Sequence, residues 1–220
     1  MFREIELLNA REVEEMRRIA ASAQFVDGRV SNPHSKVKQN TQLHEPNAYQ
    51  ASATIVMQAM QRHEDFNNFC LPVAIAPPMM ARYHVGMRYG AHHDMAYLQI
   101  GNGMIRSDIS CTVFLNDPAS YDGGALCIHA GTQDIRFKLA PGHAILYSSD
   151  TLHEVEAVTR GERLVAITFI QSRVADPFHR QMLYEINEVA AVEGLKMSQE
   201  GLARLRWAHQ NLLRYWGDRP

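Results

Sequence analysis

Residues 81–97 read ARYHVGMRYGAHHDMAY. The stretch has no proline and is aromatic at Tyr83, Tyr89 and Tyr97, which predicts an extended segment rather than a helix. On a strand, residues two apart share a face, so the side chains of His92 and Asp94 converge while His93 points away into a supporting or surface role. Among 11 histidines and 24 acidic residues, about one such His-x-acid pair is expected by chance. One decoy is present, His63-Glu64-Asp65, at the end of an amphipathic helix, where residues two apart face different ways. A solvated helix end is expected there.

Working outward, a third ligand has three candidates: His129, His143 and His153. His143 directly follows the Pro141-Gly142 turn, and His129 ends a short strand before Gly131. Only His153 has a companion of the right type: Arg163, which opens the apolar strand LVAITFIQ after the Arg160-Gly161 turn. A hairpin would bring the two onto neighbouring strands. Two imidazoles and a carboxylate cover one face of an iron ion and leave positions open for substrate, cosubstrate and oxygen. A cation pointing into a β core needs an anion, and a cosubstrate carboxylate would supply one with bidentate geometry.

The flanks predict the rest of the fold. Residues 9–22 form a helix capped by Asn9 and Glu12, with Val13, Met16, Ile19 and Ala20 on its apolar face. Residues 27–45 are polar and loop-like, a candidate lid or a surface excursion. Ala51, Ile55, Val56, Ala59 and Met60 mark a second helix. From about Val73 to Ser172, short segments broken by Pro and Gly signals predict a sandwich or jelly roll. Within it Ile109, Cys111, Val113 and Leu115 alternate with Ser110 and Thr112 as a half-buried strand. Met79, Met80, Met87, Met95 and Met104 are expected as core filler. Helical spacing returns with Met182, Leu183, Ile186, Val189 and Ala190, then Leu202, Leu205, His209, Leu212, Leu213 and Trp216. The expectation is a mainly β chain with flanking α: a catalytic domain over 1–175 and a helical extension over 176–220, the terminal helices packing outside the core.

Charge is nearly balanced, with 22 Lys+Arg against 24 Asp+Glu, so no basic field argues for nucleic acid or an anionic membrane. The longest apolar stretch, Leu71 to Ala81, holds three prolines and is too short to span a bilayer. The start, MFREIELLNAREVEEMRR, is acidic where a secretory signal would be apolar. Cys70, Cys111 and Cys127 form no CxxC and read as reduced, packed thiols. A cytoplasmic enzyme is expected.

Five segments together resemble a known family. They are FVDGRVSNPHSKVKQNTQL (25–43), APPMMARYHVGMRYGAHHDMA (76–96), RSDISCTVFLNDPASYDGGAL (106–126), LYSSDTLHEVEAVTRGERLVAITFIQS (146–172) and NLLRYW (211–216). The chain resembles the PKHD-type hydroxylases, bacterial Fe(II)/2-oxoglutarate dioxygenases related to prolyl and lysyl hydroxylases. The resemblance implies a double-stranded β-helix with iron held by His92, Asp94 and His153. It implies 2-oxoglutarate held at its far carboxylate by Arg163, with Tyr83 hydrogen-bonding it and Tyr89 lining the site. O2 as the oxidant, L-ascorbate dependence, and succinate and CO2 as coproducts are implied too. Two positions depart from the family pattern: its usual Gly-Gly-Glu-Leu is Gly123-Gly124-Ala125-Leu126, and His143 stands where an acid or amide is common.

The residues alone leave other readings: a non-redox jelly-roll module binding a small carboxylate or sugar, or a nucleic-acid demethylase with the same iron chemistry. The intact triad argues against the first. The absent basic groove argues against the second. Peptidyl proline or lysine, a free amino acid and a small metabolite all remain open as substrate.

Overall fold

The computed structural model describes residues 2–218. In chain order the elements are β1 (Phe2–Glu6), α1 (Ala10–Ser22), β2 (Phe25–Asp27), β3 (Lys38–Gln39), β4 (Thr41–Leu43), α2 (Pro46–Arg62) and α3 (Glu64–Cys70). Then follow β5 (Pro72–Ile75), β6 (Met79–Tyr83), β7 (Arg88–His92), β8 (Tyr97–Ile100), β9 (Gly103–Arg106), β10 (Ile109–Phe114), β11 (Asp122–Gly123) and β12 (Leu126–Ala130). The chain closes with β13 (Gln133–Phe137), β14 (His143–Ser148), β15 (His153–Val155), β16 (Val158–Arg160), β17 (Arg163–Ser172), α4 (Pro177–Glu193) and α5 (Gln199–Trp216).

Two antiparallel sheets face each other. The larger runs β1-β14-β10-β17-β6-β4-β2, with β5 on the end of β17; the smaller runs β13-β12-β15-β7-β3. Two-strand ribbons, β11-β16 and β8-β9, flank them. Apolar residues of both sheets, among them Ala81, Phe114, Ile128, Ile145, Val155 and Val165, pack between the layers. The arrangement is a jelly roll with flanking helices.

The helices lie on the outer face of the larger sheet. α1 forms as its sequence dictates: Asn9 and Glu12 exchange reciprocal cap bonds at 3.0 Å, and Val13, Met16, Ile19 and Ala20 are its buried residues. On α2 the buried stripe is Ser52, Ala53, Val56, Ala59 and Met60. Val56, Ala59 and Met60 are buried as expected, whereas Ala51 is exposed and Ser52 and Ala53 take the inward positions in that turn. α4 packs on α3, with Tyr184 edge-on to Phe69 at 5.4 Å. Met182 and Val189 are exposed on α4, which turns Arg180, Leu183 and Tyr184 inward instead. α5 lies against α4 and has no fully buried residue.

Several local expectations are corrected. The acidic start, to which the sequence assigned no element, forms β1, an edge strand registered on β14 from Phe2 opposite Tyr147 to Glu6 opposite His143. Residues 27–45 are no simple loop: they supply β3, β4 and a 3-10 turn over Gly28–Ser31. β10 is buried on both faces rather than half-buried, because its polar side looks into the sandwich. Met95 and Met104 are 61% and 63% exposed, beside and on the β8-β9 ribbon, and are not core. His63 is no idle helix end; its Nδ1 accepts the Phe66 amide as the N-cap of α3. Cys70, Cys111 and Cys127 are free and buried as expected. Among the described residues, no helix is long and apolar enough to cross a membrane.

Candidate active site

β7 and β15 are neighbours in the smaller sheet, registered with His92 opposite His153. Asp94 follows β7 and turns back through its amide, which donates to the Ser149 carbonyl at 3.3 Å. His92 Nε2 lies 4.0 Å and His153 Nε2 3.8 Å from the Asp94 carboxylate oxygens. One ligand atom from each residue falls within 4.8 Å of the others.

The local hydrogen bonds choose the tautomers. His92 Nδ1 meets the Gly90 carbonyl at 2.8 Å and His153 Nδ1 the Thr151 carbonyl at 2.9 Å. A carbonyl can only accept, so each Nδ1 carries the proton and each Nε2 presents a lone pair inward. Burial, then the neighbouring His153, depresses the His92 pKa to about 4, which keeps that imidazole neutral and able to bind a cation. Burial also raises the Asp94 carboxyl, against the pull of His153. Ser110 Oγ donates to Asp94 Oδ2, and Ser110, Ser149 and Ser107 continue as a hydroxyl chain with contacts of 2.8 and 2.9 Å. The Tyr89 ring stacks on His92 with centroids 3.6 Å apart.

The triad borders a cavity of about 520 Å³ between the sheets. Arg163 enters it from the opposite sheet. It is not a hairpin neighbour of His153: β15 pairs with β12 and β7, whereas β17 pairs with β6, β10 and β5. The intervening β16 leaves to pair with β11, so the chain crosses between layers. Arg163 is 1% exposed, its Nε has no hydrogen-bond partner, and it makes no ion pair among the described residues. A fully buried guanidinium left in this state is costly unless an anion joins it. Its register partner Tyr83 accepts the Asn40 amide at 2.9 Å, leaving the phenol proton free to donate into the cavity. This donor set suits a divalent metal on one wall and a dicarboxylate reaching to the other.

Other sequence candidates lie elsewhere. His93 is exposed and its Nδ1 meets the Asp150 carbonyl at 2.8 Å. His143 pairs with Glu4 at 3.0 Å, and Arg160 pairs with Asp122. His129 meets Asp134 at 2.7 Å; with Cys127 these form a second close group, but Arg136 stands opposite Cys127. Ala125 is buried, and Gly124 at φ +62° lets the chain pass close to Arg163.

Sequence reasoning missed Lys38, Asn40 and the serine chain. Lys38, Asn40 and Gln42 are all buried at period two, a strand signal hidden because hydropathy does not see polar residues. Gly28 permits this packing: a Cβ there would sit 1.8 Å from Asn40 Oδ1.

Residues 78–171 match the 2OG-Fe(II) oxygenase superfamily, so the class is an iron- and 2-oxoglutarate-dependent dioxygenase. The chain belongs to the PKHD-type hydroxylase family. It is 54% identical over 216 residues to a PKHD-type hydroxylase of Sphingopyxis alaskensis, covering 98% of this chain and 99% of that one. Among solved structures it resembles a Pseudomonas putida prolyl-4-hydroxylase (TM-score 0.53, 20% identity, 78% of this chain and 92% of that one). It also resembles a Trichoplax adhaerens prolyl hydroxylase in complex with a hypoxia inducible factor peptide fragment (TM-score 0.57, 16% identity, 78% and 83%). At these identities the solved structures speak for the fold.

Proposed function

We propose that this hydroxylase holds Fe(II) through His92, Asp94 and His153 and fixes the far carboxylate of 2-oxoglutarate with Arg163 and Tyr83. The observation that carries the reading is the buried, unpaired Arg163 facing the triad across one cavity. Bound there, iron and cosubstrate supply the power to insert an oxygen atom of O2 into a substrate C–H bond, with succinate and CO2 as coproducts.

The protein's own work is positioning. The Gly90 and Thr151 carbonyls orient the two imidazoles, and Ser110 orients Asp94. Arg163 offers a planar fork that matches a carboxylate, and Tyr83 adds a single donor. The apolar residues between the sheets exclude water around that end of the cavity. L-Ascorbate enters this reading as the reductant that keeps the metal ferrous, on family resemblance. Peptidyl or free amino acids are the favoured substrates, in line with the relatives' kinship to prolyl hydroxylases. Residues 176–220 read as a helical extension of a 1–175 catalytic domain, supported by the lack of any fully buried residue in α5. Three free cysteines support a reducing, cytoplasmic setting.

The test is direct. His92→Ala, Asp94→Ala and His153→Ala are each expected to lose iron and with it succinate formation, whereas His143→Ala keeps both. Zn(II) in place of iron is expected to leave the protein folded and inactive. Turnover supported by zinc, or iron retained in all three variants, would overturn the assignment.

A further inference from the structure

Lys38 is a second buried cation beside the same cavity. It is 7% exposed, on β3 at the edge of the smaller sheet, opposite Tyr89 in register. Its ammonium donates to Ser31 Oγ at 2.7 Å and, with the Gln42 amide oriented to accept, to Gln42 Oε1 at 2.8 Å. Both partners are neutral, and no carboxylate lies within ion-pair distance among the described residues. The Tyr89 ring, which stacks on His92, lies 5.5 Å from Nζ. Lys38 lines both the active-site cavity and the groove outside it, where Lys36 and the Asp27-paired Arg29 also stand.

We propose that Lys38 is a specificity-determining residue that receives a carboxylate of the primary substrate. The proposal rests on the iron and 2-oxoglutarate reading above, and a charge count supports it. In the loaded site the charges of a ferrous ion and Arg163 are cancelled by Asp94 and the doubly charged cosubstrate. Lys38 is left over, buried and without an anion, on the side open to the groove. A buried ammonium held only by neutral oxygens is costly, and a substrate carboxylate completes it as a charge-assisted pair. A neutral substrate would leave it uncompensated. The groove's further positive charge favours the approach of the same kind of ligand.

The test uses the whole chain loaded with Zn(II) and 2-oxoglutarate, its lysines labelled with ¹³C-methyl groups. The chain has only Lys36, Lys38, Lys138 and Lys196, so Lys38→Arg identifies the Lys38 signal by its loss. Acetate is expected to shift that signal saturably, and acetamide is not. N-acetyl-L-alaninate, charged only at its α-carboxylate, and N-acetyl-L-aspartate α-amide, charged only on its side chain, then distinguish a free backbone carboxylate from an acidic side chain. No response to acetate, an equal response to acetamide, or a response to acetate with both larger probes excluded overturns the proposal. Calorimetry of 2-oxoglutarate binding guards against a different role. Lys38→Met is expected to change that affinity by less than about 2-fold, whereas a loss of about 10-fold or more would make Lys38 a cosubstrate contact instead. Failure of 2-oxoglutarate to bind the unaltered protein would strike at the underlying reading, not at Lys38.

Discussion

The two faces of the same central strands are built on different rules. On the outer face of β10, β14 and β17 stand Ile109, Cys111, Val113, Ala144, Leu146, Leu164, Ala166 and Ile170, closed over by α1, α2 and α3. On the inner face stand Ser110, Thr112, Tyr147 and Arg163 among Phe114, Ile145 and Val165. Both faces are buried, yet the buried charge is on the inner one, while the outer face's hydroxyl at Thr168 is spent on the Ala76 carbonyl. The outer face gains its energy from apolar burial and close packing. The inner face gives up some of that gain for polar groups, of which Arg163 has no ionic partner among the described residues. Stability and chemistry are therefore separable by register, one residue apart along each strand.

The largest expected effect on stability comes from the outer face. Leu164→Ala removes a side chain that is 3% exposed, beneath the helices. It should cost about 2–5 kcal/mol of unfolding free energy in urea. Binding of 2-oxoglutarate to the folded protein should stay unchanged. A loss of cosubstrate affinity without a loss of stability would break the division between the faces.

Arg163→Ala, one residue earlier, should do the reverse. A hydrogen bond to a charged group is worth about 1.5–3 kcal/mol, so half-saturation by 2-oxoglutarate should rise about 10- to 100-fold, read by calorimetry. The ligand-free protein should lose little stability, since the guanidinium has no anionic partner to lose. Iron affinity should hold, because Arg163 belongs to the other sheet. A large fall in unfolding free energy would make Arg163 a structural cation.

Ser110→Ala sharpens the picture within the inner face. Its hydroxyl donates to Asp94 and contacts Ser149. Removing such support typically costs about 10- to 100-fold in metal affinity. Iron titration should show that loss while 2-oxoglutarate half-saturation at saturating iron stays put. A change in both together would mean that the serine chain organises the whole cavity and not the metal alone.

The same contrast explains what could be read before the structure. The outer face announces itself through apolar periodicity: the four buried residues of α1 and the alternation of β10 are plain in the chain. His92, Asp94 and His153 could be picked out as candidates because an extended stretch puts the first two on one face, which the helical His63-Glu64-Asp65 does not, and because the family-like segments include all three. What stayed hidden is made of polar residues with no apolar rhythm. Lys38, Asn40 and Gln42 alternate inward from a stretch that reads as a loop, and β1 is an acidic edge strand. The partnership of His153 and Arg163 was legible but its geometry was not, since a turn in sequence does not say whether a chain pairs back or crosses to the facing sheet.

The smallest effect concerns the inner face as a titrating surface. Burial lowers Lys38 to about 8, against about 10.4 for a lysine in an unfolded chain. Between those values the unfolded chain binds a proton that the folded one has released. The contribution of Lys38 to the unfolding free energy therefore rises with pH across this window, and the benefit is lost as pH falls through 8. Lys38→Met removes the titration, so the gap between it and the unaltered, ligand-free protein should change by about 1 kcal/mol between pH 7 and pH 9. The buried thiols of Cys70, Cys111 and Cys127, raised by burial, oppose the trend from about pH 8.5, and buried Tyr83, Tyr89 and Tyr147 from about pH 10. Both sets are common to the two proteins, so only their difference is read, and measurements should stop at about pH 9. A parallel pH course for the two proteins would mean that Lys38 is well solvated or already paired. Either outcome would remove the uncompensated charge that sets the inner face apart.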